Sequence, residues 1–160
     1  MKWVNHSATA ICVAIAVTGH PIISAAAAIT SSLPDKIEIF IPFSRHRGIS
    51  HDPVFWFPMI VTLLALPIVF ANAPLASGIF KHLAVGSAMG VAMHLITDSL
   101  SVSGIPVFRK YRLAGKLYKT TNISEYIVSL GICLPSLCIA YMAGNLNAVS
   151  QANEIVRLLK

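Results

Sequence analysis

The sequence predicts an all-α, polytopic membrane protein that forms a single integral membrane domain over residues 1–160. Of its residues 56% are hydrophobic and 11% are charged, and the mean hydropathy is +0.73. An average soluble domain has about 45–50% apolar and about 25% charged residues. Long apolar segments recur along the chain, and none shows the short-period alternation of a barrel strand. Because lipid requires backbone polar groups to be paired within a segment, we expect helices.

Residues 7–33 form the first apolar block, and a Gly-His-Pro triplet at residues 19–21 interrupts it. Proline removes a backbone donor and clashes with the preceding turn, so the triplet is a poor helix interior. The block is therefore either one kinked span or two short helices folded as a hairpin. The lysine at position 2 and the following apolar stretch also fit a cleaved signal peptide, but the apolar character recurs later in the chain, as in a multi-span protein.

Three later segments are predicted to be transmembrane helices: residues 53–71, 78–100 and 124–142. The first of them, PVFWFPMIVTLLALPIVFA, carries no charge and is about as long as the roughly 20 residues that a bilayer core requires. A motif loop, residues 34–52, precedes it, and a basic loop, residues 101–123, follows the second span. The tail, residues 146–160, resembles a short amphipathic helix that lies on the membrane interface.

Positive charge is concentrated in the motif loop and the basic loop. Together they hold eight of the twelve lysines and arginines: Lys36, Arg45, Arg47, Arg109, Lys110, Arg112, Lys116 and Lys119. The positive-inside rule places both loops in the cytoplasm of a bacterial-type inner membrane. The net charge of +6 then indicates contact with anionic membrane lipids. No motif or aromatic-interleaved basic patch indicates nucleic-acid binding, and the oligomeric state is left open.

Six ionisable residues are expected near this cytoplasmic side: Asp35, His46, His51, His94, Asp98 and Glu125. His94 and Asp98 are four residues apart, so they share one face of a helix. An imidazole and a carboxylate at this spacing can hold one cation. Ionisable groups in or beside a membrane are costly, so their presence indicates a function.

Each of these polar residues also has a simpler interpretation. A single histidine at a membrane interface is more often a hydrogen-bonded or snorkelling residue, so the metal hypothesis depends on the whole set. Arg45 and Arg47 fit a role in topology and headgroup binding. The functional alternative is that Arg47 binds an anionic, phosphate-containing substrate beside the metal. His20 and His82 are expected near the opposite side of the membrane and are left out of the site.

Three motifs in order, "SLPD", "HRGISH" and "MHLITDSLSVSGIPVF", resemble the signature of the YdjM-like family of membrane-bound, metal-dependent hydrolases. In that family a Pro-Asp, a His-Arg-Gly-x-Thr-His and a His-x-x-x-Asp with a following Gly-Ile or Gly-Val occur in this order. The resemblance covers residues 6–125.

The resemblance implies metal or catalytic roles for a defined set of residues. The implied metal ligands are His6, Asp35, His46, His51, His94 and Asp98, and the implied catalytic residues are Asp35, His51, Arg47 and Glu125, the last in a supporting role. His6 matches a histidine near the N-terminus of the family. Two short helices would return the chain so that His6 lies beside Asp35, and this favours the hairpin.

The sequence departs from the family pattern at several positions. Where relatives read Pro-Asp-x-Asp-His, this chain has Ile37 and Glu38 in the last two places, and Ser50 and Asp52 stand where threonine and serine are usual. One expected ligand is therefore missing. Glu38 or Asp52 could replace it, the site could hold one metal where relatives hold more, or activity could have been lost.

The function that we expect from these residues is hydrolysis at the cytoplasmic membrane face by water that a divalent metal ion activates, with zinc the expected ion. The basic surroundings suggest a phosphoester substrate. The alternative is a non-catalytic membrane adaptor or regulatory protein that recruits a cytoplasmic partner through its basic loops. A small transporter is the third hypothesis, but the motifs are not repeated in the chain.

Overall fold

The computed structural model describes residues 1–39, 48–70, 78–108, 110–147, 151–153 and 155–156. Its helices are α1 (Trp3–Thr18), α2 (Pro21–Thr30), α3 (Leu33–Glu38), α4 (Pro53–Val69), α5 (Ile79–Ser99) and α6 (Ile123–Met142). A 3-10 turn, Ile49–His51, precedes α4, and two short strands, β1 (Ile105–Val107) and β2 (Tyr111–Leu113), lie between α5 and α6. The prediction of a mostly helical protein is confirmed.

The first apolar block is divided into α1 and α2 at the interrupting triplet. Gly19 ends α1 in the left-handed conformation, with a φ of +64°, which only glycine adopts without strain. Pro21 then opens α2 at the position where its missing N–H costs nothing. The hydroxyl of Ser7 donates to the carbonyl of Ala28 at 2.9 Å, so the end of α2 lies beside the start of α1.

α5 is the central helix. It packs against α1, α2 and α4, and α1 also packs against α6. Gly86 and Gly90 allow α5 to approach α2 closely, because a Cβ atom on either glycine would overlap the α2 backbone, at the carbonyls of Ile23 and Ala27 respectively. Small residues at spacing four permit such approach in membrane helices.

Burial in the described residues is inverted relative to a soluble protein. Many fully buried side chains are polar, among them His6, His51, His94, Asp98 and Glu125. Large apolar side chains on α4 and α6 are exposed instead, for example Phe57, Leu64, Ile127, Leu130 and Leu134. This arrangement is typical of a protein whose outer surface contacts lipid and whose polar groups are paired inside.

Two described helices, α5 and α6, are long and apolar enough to cross a membrane. They correspond to the predicted spans 78–100 and 124–142. The third predicted span, 53–71, corresponds to α4, which has 17 residues and ends at Val69. In the predicted tail, residues 151–153 and 155–156 are helical.

The predicted basic loop contains a small antiparallel hairpin, in which Ile105 pairs with Leu113 and Val107 with Tyr111. These strands are a local departure from the expected all-α fold. Farther along the loop, Tyr118 forms a bridge with Ser101, and the backbone N–H of Val102 donates to the carbonyl of Tyr118 at 2.8 Å. The loop is thereby held against the end of α5.

Contacts at both ends of the bundle define its two sides. At one end Glu125, at the start of α6, accepts a hydrogen bond from the backbone N–H of Lys2, just before α1. At the other end Asn145, after α6, donates to the carbonyls of Ile15 and Ala16 at 3.1 and 3.0 Å. α1 and α6 therefore run in the same direction, and His94 and Asp98 lie at the Glu125 end of the molecule.

Candidate metal centre

Five ionisable side chains from four elements meet at the Glu125 end of the bundle. They are His6 on α1, Asp35 on α3, His51 on the 3-10 turn, and His94 and Asp98 on α5. Two overlapping groups, one of His6, His94 and Asp98 and one of Asp35, His51 and His94, each place their ligand atoms within 4.8 Å of one another. All but Asp35 are fully buried. The fold thus brings together side chains that are far apart in the sequence.

The distances within this centre are short and regular. His51 Nε2 lies 3.1 Å from Asp35 Oδ1 and 3.6 Å from Asp98 Oδ2. His94 Nε2 lies 3.7 Å from Asp35 Oδ1 and 3.8 Å from Asp98 Oδ2. Ligand atoms around a tetrahedral zinc ion with bonds of about 2.0–2.1 Å are separated by about 3.4 Å. Three of the separations, 3.6–3.8 Å, are slightly longer than that value, and the 3.1 Å contact is a hydrogen bond between His51 and Asp35.

The hydrogen bonds made by Nδ1 of His94 and of His6 show how these two rings are oriented. His94 Nδ1 donates to the carbonyl of Ser31 at 2.6 Å, so its proton is on Nδ1 and Nε2 carries a lone pair. His6 Nδ1 lies 2.9 Å from the hydroxyl oxygen of Thr97, whose own proton is used toward the carbonyls of Met93 and His94. His6 Nδ1 is therefore the donor, and its Nε2 also carries a lone pair.

Both of these Nε2 atoms are buried, and neither has a hydrogen-bond partner among the described residues. His6 Nε2 lies 3.4 Å from Asp98 Oδ1, and the two rings stack with their centroids 3.9 Å apart. A buried polar atom without a partner is destabilising. Asp98 Oδ1 also accepts from the N-terminal ammonium of Met1 at 2.6 Å, whereas its Oδ2 faces His94 Nε2 at 3.8 Å. Two imidazole lone pairs and a carboxylate oxygen are ligands of the kind that a divalent cation requires, so the residues fit a metal ion.

Asp35 is the member of the centre that solvent reaches, with a side chain 31% exposed. Burial opposes the charge on its carboxyl, but the hydrogen bond with His51, together with the charge that the nearby imidazoles of His94 and His6 carry when protonated, outweighs burial. The pKa of Asp35 therefore lies below its ordinary value. The group is a carboxylate at neutral pH, as a metal ligand or a proton acceptor must be.

A second layer of residues holds these side chains in place. Trp56 is buried, and its Nε1–H donates to the carbonyl of Ser50, which fixes the turn that carries His51. The hydroxyl of Tyr118 donates to the carbonyl of Thr97 at 2.9 Å and lies 3.4 Å from Asp98 Oδ1. Such outer partners set ligand orientation in metal sites. They were not predicted from the sequence, because they carry no ligand chemistry and no spacing signal.

Two of the predicted site residues, His46 and Arg47, lie outside the described residues, as does Arg45. Glu125 is buried, but it belongs to neither ligand group among the described residues. Its carboxylate accepts hydrogen bonds from the Asn5 side chain and from the backbone of Thr121, both at 2.7 Å, and from the backbone of Lys2. These bonds tie the start of α1, which carries His6, to the start of α6.

The positions that depart from the expected family pattern have other contacts. Ile37 packs against a buried apolar cluster that contains Trp56 and Leu95. Asp52 caps α4, because its Oδ1 accepts from the backbone N–H of Val54 at 3.0 Å. Within the described part of the chain, neither Glu38 nor Asp52 belongs to a ligand group.

The comparisons with known proteins agree with the sequence motifs. The chain matched no curated protein and no solved structure. A family model described as the YdjM inner membrane protein matches residues 1–149, a range that contains all six helices and the whole candidate centre. The chain belongs to the YdjM inner membrane protein family.

Proposed function

We propose that this protein is a membrane-bound, metal-dependent hydrolase that acts on a phosphoester at the cytoplasmic membrane face. The observation that carries the proposal is the pair of buried Nε2 lone pairs, on His6 and His94, that face the carboxylate of Asp98. The N-terminal ammonium of Met1 lies 2.6 Å from Asp98 Oδ1 and pairs with its charge, but the two Nε2 atoms have no hydrogen-bond partner among the described residues, which is costly for buried lone pairs. The two rings are oriented by hydrogen bonds with Ser31, directly after α2, and with Thr97 on α5, which is typical of a functional site.

His6, His94 and Asp98 would hold the ion, and His46 is a further expected ligand. A bound divalent ion, with zinc the best match to two imidazoles and a carboxylate, would polarise the scissile group and lower the pKa of water. Neutral imidazoles and carboxylates are the protonation states that such an ion requires.

The remaining residues of the centre have roles in proton transfer and positioning. Asp35 and His51 form a pair 3.1 Å apart at the accessible side of the centre, and this pair takes up the proton of the attacking water. Arg47 is expected to stabilise negative charge on the substrate. Glu125 positions His6 through Asn5 and the start of α1.

We further propose that α4 is a third membrane span and that the motif loop and the basic loop lie in the cytoplasm. α4 has 17 residues, which is the lower limit of about 17 for a spanning helix. Its outer surface is apolar, and Phe57 and Leu64 are exposed. The concentration of lysine and arginine in the two loops supports the orientation.

The first test is the metal content of the detergent-purified protein, measured by plasma mass spectrometry. We expect about one divalent ion or more per chain and loss of that metal in a His6→Ala/His94→Ala double variant. The chain offers a matched control: His20 and His82 also stack, with centroids 3.8 Å apart. The His20→Ala/His82→Ala variant removes an equivalent histidine pair and should keep its metal. Wild type loaded with metal is then assayed with p-nitrophenyl phosphate.

Metal binding that is equal in the wild type and both double variants would contradict the site. Absence of metal from folded protein that has been supplied with zinc would contradict the hydrolase proposal as a whole.

A non-catalytic adaptor remains the second candidate, and one structural observation favours it. All three residues of β2 are exposed, and Arg112 on this strand and Lys110 beside it are exposed basic residues. An adaptor would tolerate loss of His94 but would lose its partner when Lys110 and Arg112 are replaced by alanine. A hydrolase would respond in the opposite way.

A further inference from the structure

An open groove of about 630 Å³ lies beside the candidate metal centre, between α1, α2 and α3. Its walls are mainly apolar and are formed by Trp3, Ala28, Ile29 and Ile39. Three of these side chains are largely exposed: Trp3 at 66%, Ile29 at 70% and Ile39 at 81%. Such a volume is typical of a small-molecule site.

The groove is also lined by four polar residues, Ser7, Ser32, Asp35 and Lys36, and two of them are charged. Asp35 lines the groove, and its Oδ1 lies 3.1 Å from His51 Nε2 and 3.7 Å from His94 Nε2. The groove therefore reaches the centre directly. Lys36, the next residue, also lines the groove and is exposed. A molecule in the groove would meet a mainly apolar surface, and a cation where Lys36 lies next to Asp35.

That distribution fits one class of ligand. An anionic lipid has an apolar chain and a phosphate at one end, whereas a soluble phosphate ester would leave the apolar walls unoccupied. The groove is also positioned for lateral entry, because its exposed apolar rim belongs to helices that pack against α5, a helix long enough to span the membrane. Tryptophan at such a rim is enriched at the membrane interface.

We propose that this groove binds the acyl chain of a lipid phosphate monoester and presents its phosphate to the metal centre, with Lys36 binding the phosphate. This inference rests on the proposed function and names its substrate class. In the reaction, a water oxygen forms the new bond to phosphorus, and the bond between phosphorus and the ester oxygen of the lipid breaks. The Asp35–His51 pair takes a proton from water and passes it to the ester oxygen, which leaves as the lipid alcohol, and inorganic phosphate is the second product.

The experiment uses the metal-loaded, full-length protein in phosphatidylcholine nanodiscs. The probe is phosphatidic acid with a diazirine on one acyl chain, and labelled residues are located by mass spectrometry after irradiation. Release of phosphate from phosphatidic acid and from chain-free p-nitrophenyl phosphate is measured in parallel.

Two pairs of variants make the test specific to the groove. Ala28→Phe fills the groove, whereas Ala25→Phe places the same side chain on an exposed position of α2 that does not line it. Lys36→Glu reverses the charge next to Asp35, and Lys119→Glu makes the same change at an exposed position of the basic loop. Both Lys36 and Lys119 are exposed, so these two variants should fold.

The expected result is labelling concentrated on residues 28–32 and on Trp3, above the labelling of the outward face of α6. Ala28→Phe should abolish most of it, and Lys36→Glu should reduce it about fivefold or more, because one basic residue contributes about 1 kcal/mol to anionic-lipid binding. Both controls should label as the wild type does.

Four results are possible, and they separate this inference from the proposed function. Groove labelling and phosphate release from the lipid, both lost in Ala28→Phe and Lys36→Glu, support the two together. Hydrolysis of p-nitrophenyl phosphate without groove labelling overturns the lipid inference and leaves the hydrolase. Groove labelling that responds to both variants, with neither ester cleaved, supports the lipid site and overturns the hydrolase. Labelling that is uniform over the apolar surface and equal in all variants overturns the lipid site.

Discussion

The candidate centre depends at the residue scale on which nitrogen of each imidazole carries the proton. His94 Nδ1 is committed to the carbonyl of Ser31, and His6 Nδ1 to the hydroxyl of Thr97. Both rings therefore direct a lone pair at Asp98. The same bonds prevent the rings from turning. The side chains therefore lose their conformational entropy during folding and not when a metal binds.

Tyr118 provides a test of this outer layer. Its hydroxyl contacts the carbonyl of Thr97 and the carboxylate of Asp98. Tyr118→Phe should therefore leave the orientation of the Asp98 carboxylate less well fixed without removing a ligand. We expect the metal affinity to fall about tenfold or more, within the range found for outer-layer partners. Competition with a chromophoric chelator measures this affinity.

The matched control for that change is Tyr141→Phe, because Tyr141 is an exposed residue at the other end of α6. This variant should bind metal with wild-type affinity. If both variants bind equally well, Tyr118 supports only the loop and not the centre.

How much of the centre can be predicted from sequence differs from residue to residue. His94 and Asp98 are predictable because the helical repeat places residues four apart on one face. Thr97, Ser31 and Tyr118 are not, because their roles follow from contacts between segments distant in the chain. Sequence alone leaves the ligand role of Glu38 or Asp52 open for a similar reason: Asp52 lies next to His51 in sequence, but its oxygen caps α4.

At the scale of elements, the separation of α2 and α5 controls the geometry of the centre. His94 on α5 is held by the carbonyl of Ser31 directly after α2, so both helices must approach closely. Gly86 and Gly90 permit this approach. The pattern "GSAMG" at residues 86–90 is a small-xxx-small motif of the kind found where membrane helices pack. It could have been recognised in the sequence, and it would have predicted the α5 face that contacts another helix.

Gly90→Ala tests the importance of this approach. The added Cβ would overlap the carbonyl of Ala27 and the side chain of Thr30, so we expect destabilisation of about 1–3 kcal/mol, as is usual for overpacking. A thermal melt in detergent should show a lower Tm, and metal retention should fall with it.

The chain contains a suitable control on α6. Apart from the adjoining residues of its own helix, nothing in the described part of the chain lies within 4 Å of the position that a Cβ added to Gly131 would occupy. Gly131→Ala should leave the Tm unchanged or raise it, because alanine exceeds glycine in helix propensity by up to about 1 kcal/mol. Equal melting of the two variants would show that the α2–α5 contact tolerates an added side chain.

At the scale of the whole molecule, the direction of each helix relates the metal centre to the two sides of the membrane. α1 and α6 begin at the end that holds Glu125, and α5 ends there with His94 and Asp98. The basic loop is fixed to the same end through Tyr118. The distribution of basic residues therefore predicts on which side of the membrane the candidate centre lies, as well as on which side the loops lie. The orientation can be predicted from the sequence because it follows from which loops hold the lysines and arginines. Whether α4 spans the membrane depends instead on packing and on lipid thickness.

Cysteine labelling tests that orientation. In a background with Cys12, Cys133 and Cys138 replaced by serine, single cysteines are introduced as Lys119→Cys in the basic loop and Ala143→Cys just after α6, both at exposed positions. A membrane-impermeant maleimide added to spheroplasts should label Ala143→Cys at once and Lys119→Cys only after the membrane is disrupted, because the positive-inside rule places the basic loop in the cytoplasm. The reverse pattern would place the metal centre on the outer side, where a cytoplasmic substrate could not reach it. Immediate labelling of both positions would mean that α6 does not cross the membrane.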